Sequence, residues 1–167
     1  MKFILAVLSF LVLALFPAHG EVIGNVEYYL PSSISQEWEI SNKLESPKGV
    51  TLIYSPKGVE RHQATEFFGV NSNTLSLSLE DFDALKNGLA KMFPDMEISV
   101  GVIEKGTNSL LYEWSAKEND QVKILGWGKV FALEAGSVVL TYLTENVDDA
   151  SKVYSLWIPV LKEAKIL

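Results

Sequence analysis

The chain has 167 residues, 48 % of them hydrophobic, a formal charge of −7 and no cysteine. That length suits one ordinary domain, and the acidic balance disfavours nucleic acid and anionic lipid surfaces as partners. Without cysteine there is no thiol catalysis, no disulfide, no cysteine-bearing metal site and no bacterial lipid anchor.

Residues 1–20 read as a signal peptide. Lys2 is a short positive start, residues 3–16 are apolar apart from Ser9, and Ala18 and Gly20 stand at the −3 and −1 positions before Glu21. The apolar run is about 14 residues, short of the roughly 20 that span a bilayer. Cleavage after Gly20 is therefore expected, leaving no stable membrane anchor. The 14 basic residues then fall to 13 with the loss of Lys2, against 21 acidic ones, so the mature charge is −8. The lack of disulfides and of an N-x-S/T sequon points to a bacterial chain, with the periplasm as the expected location and the extracellular medium as the alternative.

Residues 21–35 have weak local preference and read as an N-terminal extension, with residues 36–167 as a single α+β domain. Residues 37–45 alternate, Trp38, Ile40 and Leu44 against polar neighbours, as in a half-buried strand. Further strands are expected at 50–54 and 59–70. The pentapeptide S-P-K-G-V occurs at 46–50 and again at 55–59. Ser-Pro-Lys-Gly is turn chemistry, and two copies are too few for a repeat array. The duplication thus reads as strand punctuation, with Lys48 and Lys57 at opposite ends of one strand.

A helix is expected after Ser78, with Asp81 as capping partner and Leu79, Phe82, Leu85, Leu89, Met92 and Phe93 as a core-facing stripe ending before Pro94. Strands at 96–104, 109–116, 121–133 and 137–144 form a second meander. Asn146 then opens a closing helix with Val153, Leu156, Trp157, Val160 and Leu161 as its stripe, and Pro159 is expected to kink or divide it. Segregated strands and helices argue for an α+β fold, an antiparallel sheet flanked by helices.

The chemistry on offer is sparse. His62 is the single histidine of the mature chain, expected on the solvent side of a strand, and neither a G-x-S-x-G elbow nor a phosphate loop occurs. No zinc ligand set or calcium loop can be assembled, so no metal and no cofactor is expected. Nothing singles out two of the 21 acidic residues as a hydrolytic pair. The unusual feature is Gly126-Trp127-Gly128 inside a strand, which suggests a bulge or a close approach. Trp127 is either an exposed partner surface or turned into the core.

The meander "ESPKGVTLIYSPKGV" before the helix "SLEDFDALKNGLAKMF", and the hairpin "GWGKVFALEAGSVVLTYLT" before "ASKVYSLWIPVLKEA", resemble the PsbP-like superfamily, which includes the Mog and DcrB-type proteins. The likeness spans about residues 36–165. It implies an α/β/α sandwich, no catalytic residues and an accessory, protein-binding role. The expected function is therefore an exported non-enzymatic protein that binds another envelope or secreted protein. The alternative is a carrier of a small apolar ligand between sheet and helix. Trp127, Gly126, Gly128, Trp114, Phe67 and Phe68 are the candidate partner or ligand surface.

Overall fold

The computed structural model describes residues 20–30, 37–60, 62–74, 77–80 and 82–167. The leader up to residue 19 and the expected capping partner Asp81 lie outside the described residues. In chain order the strands are β1 (Gly20–Ile23), β2 (Val26–Tyr29), β3 (Trp38–Ser46), β4 (Gly49–Pro56) and β5 (Glu66–Asn73). Helix α1 (Phe82–Met92) follows, then β6 (Glu97–Lys105), β7 (Ser109–Glu118), β8 (Gln121–Leu133) and β9 (Gly136–Thr144). A 3₁₀ turn (Val147–Asp149), helix α2 (Ala150–Glu163) and the short β10 (Lys165–Ile166) complete it.

Seven strands make one antiparallel sheet in the order β3-β4-β5-β9-β8-β7-β6. The two meanders meet at β5–β9, in register from Glu66↔Thr144 to Asn73↔Ser137. Because β5 is central and β6 is at the far edge, the connection through α1 must cross the face of β9, β8 and β7. The result is an α+β fold in which an antiparallel sheet is flanked by helices.

The larger core lies between one face of this sheet and a layer made by α2 with the small sheet β1-β2-β10. Its centre is aromatic. Trp157 stacks on Tyr142 with ring centroids 4.5 Å apart and on Phe68 at 4.9 Å, while Trp38 meets it edge-on at 5.2 Å. Tyr28 and Tyr54 both donate to the Glu21 carboxylate, which ties the β1–β2 hairpin to β4. Residues 20–30 are therefore not a peripheral extension, since Val26 and Tyr28 are fully buried in this core. The smaller core lies on the other face, where Leu89 of α1 packs with Tyr112, Trp114 and Ile124.

Several local expectations need correction. The third strand starts at Glu66, not at 59, because Gln63 N–H and Ala64 N–H both donate to the Glu60 carbonyl, which is turn and not strand bonding. His62 is exposed on that turn and not on a strand. Helix α1 begins three residues after Leu79, since Ser78 Oγ accepts the Glu80 N–H at 3.3 Å and holds a turn there. Helix α2 runs unbroken through Pro159. The lost N–H is outweighed by the burial of Trp157, Ile158, Val160 and Leu161 around it.

The first S-P-K-G-V closes the β3–β4 hairpin with a two-residue loop, Ser46 opposite Gly49. Gly49 has φ +149°, and a Cβ there would lie 1.8 Å from the Ser72 carbonyl oxygen. The second copy ends β4, so Lys48 and Lys57 flank opposite ends of that strand.

Candidate functional site

Register assigns the two sheet faces. Opposite Gly128 stand Tyr112 on β7 and Thr141 on β9, and opposite Gly126 stand Trp114 and Leu143. These side chains share the α1 face with Val130, Val139 and Asn71. Trp127 lies one residue out of phase and faces α2.

The glycines of Gly126-Trp127-Gly128 are explained by their neighbours on β7. A Cβ at Gly126 would lie 2.2 Å from the Trp114 indole, and one at Gly128 would lie 2.4 Å from the Tyr112 hydroxyl end. Both rings lie flat across β8, which needs strand positions with no side chain. There is no bulge at this point. Pairing of β7 with β8 is continuous from Ser109↔Phe131 to Ala116↔Ile124, and the irregularity falls at Ala116/Lys117.

Between α1 and this aromatic floor is a cleft with a volume of about 410 Å³. Leu77, Leu79, Leu85, Leu89 and Met92 form its roof. Leu110, Tyr112, Trp114, Val130, Val139 and Leu143 form its floor. Among the described side chains of α1 only Leu89 is buried, while Met92 is 64 % exposed, so the helix stands off the sheet along one side. Gly88 borders the cleft, and a Cβ there would meet nothing within 4 Å. A mid-helix glycine costs about 1 kcal/mol relative to alanine; here it leaves the space open. Among the described residues, no charged one lines the cleft.

Its polar groups form a strip on the floor. Tyr112 Oη and Thr141 Oγ1 are 3.2 Å apart. Asn71, on the neighbouring row, donates its amide to Thr51 Oγ1 at 2.6 Å. Burial pushes the Tyr112 hydroxyl pKa up, so it stays protonated at neutral pH. On the opposite face a smaller hollow of about 260 Å³ is bordered by Trp127, Leu125, Glu113 and Ser99 and is mixed in character.

The six expected surface residues are thus divided between two faces. Trp127 is 5 % exposed and stacks on Tyr142 with Tyr154 against its edge, and Phe68 is fully buried beneath Trp157. Neither is a surface. Trp114 forms part of the cleft floor, with Gly126 and Gly128 beneath the rings of that floor. Phe67 is half-buried on the cleft's face but does not line it. The indole N–H groups of Trp114 and Trp127 are both buried without a hydrogen-bond partner.

Asn71, Gly88, Leu110, Val130, Val139, Thr141 and Leu143 were not singled out from the sequence. Two signals mark Val139, Thr141, Leu143 and Gly88. "VVLTYLT" is apolar at successive positions, as in a strand covered on both faces. Gly88 interrupts the α1 stripe of Leu85, Leu89 and Met92, as a gap in a packed face would.

No family model and no curated protein matches this chain. It is similar to the solution structure of cyanobacterial PsbP (CyanoP) from Synechocystis sp. PCC 6803, at 14 % identity and a TM-score of 0.55, over 92 % of this chain and 99 % of that one. The chain has a PsbP-like fold.

Proposed function

We propose that this PsbP-like fold serves as a non-enzymatic binding protein that holds a small apolar ligand in the cleft between α1 and the sheet. The observation that carries this reading is a space of about 410 Å³ with aliphatic and aromatic walls and no charge among the described residues that line it. Such a volume is in the range of small-molecule sites, and apolar walls with a few placed polar groups are their usual lining. The absence of catalysis is part of the proposal. Its support is that, among the described residues, the cleft holds no acid, base or nucleophile pair beyond hydroxyls and no three His, Cys, Asp or Glu converge.

Native mass spectrometry of the purified protein tests the reading. A co-purified adduct is expected on the wild-type protein and not on Gly88→Leu, whose new side chain fills the cleft while improving helix propensity. A bare mass for wild type from several preparations would count against it.

A protein partner is the second reading, favoured by the outer strand β3, where Ile40 and Leu44 are 48 % and 57 % exposed. Pull-down with the mature domain should then recover a specific partner that Leu44→Glu loses. Export to the periplasm belongs to the same proposal, supported by the leader pattern of residues 1–20. N-terminal sequencing should find Glu21 first.

A further inference from the structure

We infer that the ligand is a neutral alcohol: an apolar body carrying one hydroxyl, and no carboxylate or phosphate. This rests on the reading of the cleft as a ligand site and concerns its chemistry.

The first argument is charge. Every described residue that lines the cleft is uncharged, so a bound anion would lose its hydration with no cation among them to replace it, at a cost of several kcal/mol or more. A phospholipid head or fatty carboxylate is disfavoured inside for that reason.

The second argument is donor and acceptor count. The Tyr112–Thr141 pair has two hydroxyl protons and uses one between them. Either hydroxyl can be the donor, so one proton of the pair is left for the cleft whichever way the bond runs. Asn71 spends one of its two N–H groups on Thr51, which leaves the other N–H and its carbonyl oxygen on the same floor. Gly69 faces Thr141 and Asn71 faces Val139 across β5–β9, so Asn71 and Thr141 are diagonal neighbours. One ligand oxygen can bridge such a pair. Donors set beside an acceptor are the complement of a hydroxyl group, which both accepts and donates.

The test is displacement of the neutral fluorophore N-phenyl-1-naphthylamine by decanol and by decanoate at pH 8, with wild type, Gly88→Leu, Thr141→Val and Asn71→Leu. The expected result is fluorophore binding that Gly88→Leu abolishes, with decanol displacing at about a tenth of the decanoate concentration. Thr141→Val should weaken decanol about fivefold, the loss of roughly one neutral hydrogen bond, and leave the fluorophore unchanged. Asn71→Leu reports the acceptor in the same way if Thr141→Val does not fold. Decanoate equal to or better than decanol would overturn the alcohol while leaving an apolar site. No fluorophore binding, or binding indifferent to Gly88→Leu, would overturn both the ligand class and the site.

Discussion

A methyl group added at Gly126 is the sharpest probe of the site at the scale of single residues. Its Cβ would coincide with the ring of Trp114, whose far side stacks on Phe93 at 5.6 Å, so the indole has no room to withdraw. Gly126→Ala should therefore destabilise by about 1–3 kcal/mol, the range for overpacked interiors, read as a lower urea midpoint with unchanged m. In a Trp114→Leu background the same substitution should cost markedly less, because the clashing ring is gone. Equal costs in the two backgrounds would show that the ring is not the obstacle. The oddity of Gly126-Trp127-Gly128 was legible in the sequence, but its cause was not. The cause is a pair of aromatic side chains on β7, and cross-strand register is not readable from β8 alone.

At the scale of elements, the two helices should differ in stability by a measurable margin. Helix α2 buries four side chains in the aromatic core, and Lys129 donates to the Lys162 and Ala164 carbonyls at its C-terminal end. Helix α1 buries Leu89 among its described side chains, keeps a glycine at its centre and overhangs a cleft. Few buried apolar contacts mean local opening at low free energy. Amide hydrogen exchange in α1 should run at least about tenfold faster than in α2, and a saturating cleft ligand should slow α1 selectively. Equal protection in the free protein would contradict the loose packing of α1. Both helices and all strands of the second meander were legible from period, apolar runs and turn residues, with the start of α1 three residues late. The hairpin β1–β2 was not, because its four-residue strands carry little local preference and are held by Tyr28 and Tyr54 meeting Glu21. The roof of the cleft was legible as a stripe, but a stripe that packs and a stripe that overhangs a space look alike in sequence.

For the whole molecule, the buried tyrosines fix where the fold fails at high pH. Tyr28, Tyr54, Tyr112 and Tyr142 are each at most 4 % exposed, and between them they serve both cores and the hairpin contact. Desolvation pushes each phenol pKa up, and the Glu21 and Glu66 carboxylates push the same way at Tyr28, Tyr54 and Tyr142. In the unfolded chain these groups lose their protons near pH 10. Above that pH the native state binds more protons than the unfolded state, so stability is complete below about pH 10 and falls as pH rises. Each tyrosine contributes a slope of about 1.4 kcal/mol per pH unit, so four give about 5–6. Lys129 opposes them, because burial lowers its pKa and the unfolded chain then holds that proton more firmly. It is one proton against four, and its window closes near its unfolded value of about 10.4. A domain with a stability of about 5–15 kcal/mol should therefore unfold within roughly one to three units above pH 10. Absorbance at 295 nm should record most of the tyrosinate step together with loss of the far-ultraviolet circular dichroism. Full ionisation of all six tyrosines near pH 10 with the dichroism intact would show that the four are not sealed in the two cores.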